Sequence, residues 1–281
     1  MIKIIVDGSA DMPKGWPEKY QFDILPMPIQ IGNRTYYQGQ DIDIEKFYDL
    51  VGDENNVPQS AAPSPGHIIS FVEQVCEFGD TVLAINVSGK MSSTVSMMKF
   101  AAKELKDKLN MLVFDSEAGS AVLAFMAREA RLRERAGDSL EEIMRVLETI
   151  REKMMVVMTV DRLEFARRSG RVSALKAALT SLLKIKPIIS LHEGLMSASE
   201  MVRTRKKSLA RLVERVKDQF GSESVKIAIV HAQDLETAEL LKRMAEELLN
   251  TTETILTDLS LAVAANLGPK TVGIVALPDL L

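Results

Sequence analysis

IKIIVDGSAD, residues 2–11, decides the fold. Its apolar run, Ile4, Ile5 and Val6, stops at Asp7, and the small and polar residues Gly8, Ser9, Ala10 and Asp11 follow. A short apolar run without alternation reads as a strand buried on both faces, the habit of parallel sheets flanked by helices. The same grammar returns in TVLAINVSGK (81–90) and MLVFDSEAGS (111–120). Each strand ends where a loop rich in small and hydroxyl residues begins. Helical spacing fills the intervals, so the first half reads as crossover units building a mostly parallel sheet.

Working outward, Ser64 and Pro65 have the chemistry of an N-cap and first helical position for a helix over 64–78. Helical patterns also cover 92–109, 120–136 and 138–153, the last opening with Asp138 and Glu141 at capping-box spacing. Residues 20–50 are irregular and read as an insertion lying over the first sheet, with a turn at Gly32-Asn33 and Asp43 capping a helix over 44–51. The second half changes character. Strands are expected at 154–161, 184–191, within 192–202, and at 224–232, 252–259 and 270–277, with helices over 205–220 and 234–250. The links are short, which predicts a mixed sheet with helices on one face. The expected fold is therefore α/β with two domains, 1–157 and 158–281.

The chain has 281 residues, 46% of them hydrophobic and 26% charged, enough to bury a substantial core. A formal net charge of -4 gives no global attraction to nucleic acid. The single cysteine excludes an intramolecular disulfide and a thiol-based metal cluster. No window reaches the length and apolarity of a membrane span, and no leader pattern is visible, so a cytoplasmic protein without stable membrane insertion is expected.

Ligands of open α/β sheets bind outside the carboxyl ends of the strands. There this sequence places Ser9, then Ser92, Ser93 and Thr94, with Ser60 in the similar stretch VPQSAAPSP (57–65). Hydroxyls donate hydrogen bonds, and a helix following Ser92 favours an anion, so a carboxylate or phosphate is the expected polar group of a ligand. The bland reading is that such loops are only turns and caps. Catalysts are hard to assemble. His67, His192 and His231 form no H-E-x-x-H motif, and GKMSST lacks Walker spacing. Asp7 and Asp11 are metal-ligand types, but capping the loop after the first strand suits them better. No metal site or cofactor is expected. Two basic clusters, 167–176 and 203–207, read as solvated faces or as a surface for an acidic or phosphorylated partner, and Gly170 between arginines predicts a tight turn.

Together these loops resemble the DegV family of bacterial fatty-acid-binding proteins, nearly end to end. IIVDGSADMP is similar to the family's opening strand and D-S-[TSA]-[AS]-D loop, and VPQSAAPSPG to P-x-T-S-Q-P-S-P. NVSGKMSSTVSM resembles S-S-x-L-S-G-T-x-x-S, DRLEFARRSGRVS resembles D-x-L-x-x-L-x-x-G-G-R-I-S, and ANLGPKTVG resembles H-T-G-P-G-x-x-G. The resemblance implies a two-domain protein with a long-chain fatty acid between its domains. It implies that Ser60 and Ser92 hold the carboxylate and that Asn266 stands where a head-group histidine is usual. It further implies a non-catalytic carrier that can present its acid to a separate fatty acid kinase, and the two basic clusters, with Arg167, Arg168, Arg171, Arg203 and Arg205, offer the surface on which such a partner would dock. A monomer is expected. Gly8, Ala61, Ala62, Gly89 and Ser93 depart from the family pattern. The alternative is a serine-dependent hydrolase or acyltransferase acting on a lipid-like substrate through Ser92 or Ser60.

Overall fold

The computed structural model describes residues 1–51, 57–173 and 185–279. They form two compact units. The first comprises Met1–Arg151 with Ser260–Val263, and the second Glu152–Leu259 with Ala264–Leu281.

In the first unit, β1 (Lys3–Asp7), β2 (Phe22–Leu25), β6 (Thr81–Asn86) and β7 (Asn110–Asp115) build a sheet ordered β2-β1-β6-β7. All its pairings are parallel. The strand order reverses direction between β1 and β6, so the crevice beyond their carboxyl ends is the topological switch point. Helices α3 (Pro65–Val75) and α4 (Thr94–Glu104) seal one face, where Ile68, Val72, Met98 and Ala101 pack on Ile5, Val82 and Ala84. Helix α5 (Ala121–Ala136) packs on β1 and β6, with the short α1 (Trp16–Tyr20) beside it. Burial on both faces accounts for the unbroken apolar runs; each fully buried Val, Leu or Ile is worth about 1.5–3 kcal/mol relative to exposure.

Ser64 caps α3 as expected, its side chain accepting from the His67 N–H at 3.2 Å with Pro65 following. Asp43 caps α2 (Ile44–Val51), accepting from Lys46 N at 2.8 Å. The capping box of α6 (Leu140–Lys153) sits one residue later than the sequence spacing indicated. Ser139 N donates to Glu142 Oε2 at 2.7 Å, and Glu142 N donates to Ser139 Oγ at 3.3 Å. The serine displaces Asp138 because Gly137, at φ 97, closes α5 with Asp138 still bonded to Arg133 O.

Residues 20–50 are not an insertion throughout. Phe22–Leu25 is β2, an edge strand of the parallel sheet, with Phe22 and Leu25 buried on its opposite faces. Beyond it, β3 (Pro28–Ile31) and β4 (Arg34–Tyr37) form a hairpin turning at Gly32-Asn33, and the two-residue β5 (Gln59–Ser60) joins β3.

The second unit holds a seven-stranded mixed sheet ordered β13-β12-β14-β8-β10-β11-β9. Its strands are β8 (Met155–Thr159), β9 (Val172–Ser173), β10 (Lys186–His192), β11 (Leu195–Val202), β12 (Val225–His231), β13 (Thr251–Asp258) and β14 (Val272–Pro278). Helices α8 (Arg205–Phe220) and α9 (Leu235–Leu248) cover one face, placing Leu209, Leu212, Val213, Val216 and Leu241 against Val157, Ile227, Ile229 and Ile274. β10 and β11 are joined through Glu193 and Gly194, both at positive φ as a tight hairpin requires. Sequence periodicity missed the two seven-residue helices α7 (Leu163–Ser169) and α10 (Leu261–Leu267), which span too few turns to show a period. Gly268, at φ 82 after α10, leaves room for the Phe165 ring, which a Cβ there would meet at 2.7 Å.

Candidate functional site

At the switch point of the first unit, the loop after β1 is organised by Asp7. Its carboxylate is fully buried and accepts from Val87 N at 2.6 Å, from Ser9 N at 3.0 Å and from the Ser9 hydroxyl. Burial raises the Asp7 pKa above its ordinary value, with these hydrogen bonds opposing. Asp11, also buried, accepts from Ser260 N at 2.7 Å and from the Ser120 hydroxyl. Both aspartates thus fasten loops. Gly8 fits because a Cβ there would stand 3.1 Å from Leu25 O.

The loop after β6 folds back on itself. Ser88 O accepts from both Met91 N and Ser92 N at 3.0 Å, and Ser88 N donates to Ala118 O at 2.7 Å. Gly89 N lies 3.2 Å from both Asp115 carboxylate oxygens, and a Cβ on Gly89 would come within 2.8 Å of one of them. Glycine at 89 therefore serves a close approach. At the mouth of α4, the hydroxyls of Ser92 and Thr94 are 2.8 Å apart, and Thr94 N donates to Ser92 Oγ at 3.3 Å. Thr94 is buried and Ser92 half-buried. The α4 N-cap is Ser93, exposed, whose side chain makes no capping bond.

The third loop contributes Ser120, whose backbone (φ 61, ψ -148) is a conformation ordinarily reserved for glycine. Its N–H donates to Ser9 O at 3.0 Å and its hydroxyl to Asp11, which ties the loops after β1 and β7 together. Sequence reasoning missed Ser120, Asp115, Gln38 and Ser260. The last two enter because Leu261 N donates to Gln38 Oε1 at 2.8 Å and Ser260 N to Asp11.

Among the expected head-group residues, Ser9, Ser92, Ser93 and Thr94 lie on these converging loops. The Ser9 hydroxyl gives its proton to Asp7 and keeps only lone pairs, which a carboxylate cannot use. Ser60 lies on β5, half-buried and paired in register with Ile29, with Ala61 N donating to Pro28 O at 3.0 Å. His67, near Ser60 in sequence, stacks on Tyr37 with ring centroids 4.9 Å apart. Asn266 is half-buried in α10, in the part belonging to the second unit.

The basic motif around 167 is a helix end. Phe165 and Ala166 are buried, Arg167 and Arg168 exposed, and Gly170 closes α7 at φ 69 as the expected turn. Arg168 pairs with Glu164 at 2.8 Å, and Arg171 folds back to donate to Ser169 O. Residues 174–176 of this cluster lie outside the described residues. Arg203 is exposed. Arg205 turns inward, reaching Asp234 Oδ2 at 2.8 Å and Lys270 O at 2.7 Å.

A second polar site lies in the other unit. Along the parallel pair β12/β13, His231 stands opposite Asp258, with Nδ1 3.3 Å from Asp258 Oδ1. Burial lowers the His231 pKa, against the pull of Asp258 and Asp234. Among the described residues, no three His, Cys, Asp or Glu side chains converge as a metal cluster, and no helix is long and apolar enough to cross a membrane.

A doubly wound parallel unit with a hydroxyl- and carboxylate-laced switch point, followed by a seven-stranded mixed-sheet unit, defines a distinct class of α/β protein. Residues 1–279 match the family model described as "Uncharacterised protein, DegV family", and the chain belongs to the DegV family. It is 29% identical to Protein DegV of Bacillus subtilis over 248 residues, 87% of this chain and 88% of that one. Its fold matches a fatty-acid-binding DegV family protein from Thermus thermophilus with a TM-score of 0.88 at 26% identity, covering 99% of both chains. A fatty acid binding DegV family protein from Streptococcus agalactiae matches with the same TM-score, identity and coverage.

Proposed function

We propose that this chain is a non-catalytic carrier of a long-chain fatty acid, its carboxylate held at the carboxyl edge of the first sheet by Ser92, Ser60 and the opening amides of α4. The observation that carries this reading is the Ser92–Thr94 pair. Two hydroxyls have two protons, and their mutual bond uses one. With Thr94 buried, we assign its proton to this bond, which leaves the half-buried Ser92 its own for an incoming anion. Ser93, exposed at the same helix mouth, offers a further donor. The fatty acid binding reported for the relatives from Thermus thermophilus and Streptococcus agalactiae supports the choice of ligand.

The physics favours such a ligand. Each buried methylene contributes about 0.8 kcal/mol, so a long acyl chain drives binding while the head group fixes orientation. A carboxylate out of water needs several donors. Serine-dependent catalysis has less support: Ser9 and Ser120 are buried against carboxylates, and Ser92 is paired with a threonine, which is not a base. A monomeric cytoplasmic carrier presenting its acid to a fatty acid kinase is the fuller form of the proposal. Arg167, Arg168 and Arg203 are its exposed docking residues, while Arg171 and Arg205 shape the backbone around them.

Native mass spectrometry of the purified chain followed by lipid extraction tests the reading. A bound fatty acid is expected; an empty protein that also refuses palmitate and oleate overturns it. Charge reversal at Arg167 and Arg203 is expected to spare acid binding and weaken kinase docking.

A further inference from the structure

His231 is 6% exposed at the end of β12, and its Nδ1 has no hydrogen-bond partner. Asp258 Oδ1 nevertheless lies 3.3 Å from that nitrogen. A separation this short without a hydrogen bond means that the oxygen stands off the line along which an imidazole N–H would donate. The backbone beneath the pair is fixed: Leu259 N donates to His231 O at 2.7 Å and Ala232 N to Thr271 O at 2.9 Å. The pair opens into a pocket of about 480 Å³, lined also by Gln233, Leu235, Leu256 and Thr257. It sits at the carboxyl ends of adjacent parallel strands, where open α/β sheets take ligands. Asn86 and Thr159 also carry a buried atom without a partner, but His231 adds a pocket and a carboxylate beside it.

The separation discriminates between occupants. Two ligands at about 2.0–2.2 Å from a tetrahedral metal ion stand about 3.4 Å apart. An ammonium or a water donating to both would hold them about 4.5 Å apart, because each donor–acceptor distance is about 2.9 Å. The observed 3.3 Å matches the first of these spacings and is too short for the second. Imidazole nitrogen with carboxylate oxygen is a borderline donor pair, suited to zinc and its neighbours, whereas magnesium and calcium favour all-oxygen shells.

We propose that His231 Nδ1 and Asp258 Oδ1 form an open binding site for a divalent transition-metal ion of the zinc class. With no third His, Cys, Asp or Glu converging among the described residues, the protein supplies two ligands. The pocket leaves the remaining positions to water or to a small molecule that the ion itself holds. Leu235 and Leu256 give that molecule an apolar wall, and the Gln233 amide and Thr257 hydroxyl are its polar neighbours. Such a site is exchangeable and distinct from the hydroxyl loops of the first unit.

Calorimetric titration of the full chain with zinc chloride, paralleled by cobalt(II) monitored in the visible, tests this. One ion per chain is expected, with the absorption of tetrahedral cobalt. Asp258→Asn and His231→Ala should each weaken binding by more than about tenfold, since even outer-shell changes at metal sites cost about 10–100-fold. Asp258 is half exposed, so its variant keeps the fold if the histidine variant does not. Failure to bind zinc, or equal affinity in Asp258→Asn, overturns the proposal. So does nitrogen NMR showing an Nδ1–H bonded to Asp258 and undisturbed by zinc.

Discussion

Asp7 and His231 occupy the same place in their respective units. Each ends a strand that runs parallel to a neighbour, and each is buried where the loop begins. Their surroundings differ. Asp7 meets three donors, from Ser9 and Val87, whereas the Nδ1 of His231 meets none. A buried polar group that is fully satisfied by its own chain is scaffold, and one left unsatisfied beside a pocket is an invitation to a ligand. The first unit thus uses its buried carboxylates to hold loops still. The second unit leaves its buried imidazole for something that is not protein.

The sharpest way to break this comparison is Asp7→Ala. It strands two buried backbone N–H groups, each costing about 1–3 kcal/mol, so a loss of about 3 kcal/mol or more is expected in urea unfolding. A smaller loss would mean that the loops after β1 and β6 are held by something other than this carboxylate. Its pH dependence carries a sign opposite to that of most aspartates. The folded pKa is raised above the ordinary 3.8. The protonation-linked part of the Asp7 contribution to stability is therefore fully present below that value and is lost as the pH rises through the folded pKa. Urea midpoints followed across that window should fall with pH in the parent relative to Asp7→Ala; a difference that grows instead contradicts a burial-dominated shift.

Next in size is the effect on ligand. A hydrogen bond to a charged group is worth about 1.5–3 kcal/mol, so Ser92→Ala should weaken palmitate binding about tenfold or more. Combining it with Ser60→Ala should weaken binding further, and unchanged affinity in the double variant sinks both assignments. Thr94→Val sharpens the point. It removes the hydroxyl assigned as donor to Ser92 but leaves Ser92 in place, so a several-fold weakening of acid binding is expected with little loss of stability. If Thr94→Val binds as tightly as the parent, Ser92 does not depend on the relay.

Much of the architecture was legible because it is written in local pattern. The unbroken run at Ile4–Val6, the Ser64-Pro65 start of α3 and the amphipathic α8 over 205–220 each announce themselves within a few residues. The loops were legible as hydroxyl-rich but not as a circuit. Asp11 finds Ser260 at a separation of 249 residues, and Ser120 reaches back 109 residues to Asp11. Such partners are set by the packing of β1 against β6 and of α5 on both, which no window of sequence contains. The same holds for His231 and Asp258, unremarkable 27 positions apart until β12 and β13 align them. Arg205 shows the converse: a residue inside a basic run is drawn inward by Asp234, which only the fold brings near.

The smallest expected effect tests the other side of the comparison. Asp258 is 47% exposed by its side chain and makes no well-aligned hydrogen bond with His231. If the pair is a ligand site and not a structural lock, Asp258→Asn in metal-free buffer should change stability by no more than about 0.5 kcal/mol, as for ordinary surface substitutions. Breaking a buried, hydrogen-bonded charge pair would instead cost about 3–5 kcal/mol. The two outcomes are far enough apart for a single urea titration to separate them. A near-neutral result, set against the large loss expected from Asp7→Ala, would mean that the chain has two buried strand-end groups of like placement and has fastened only one of them.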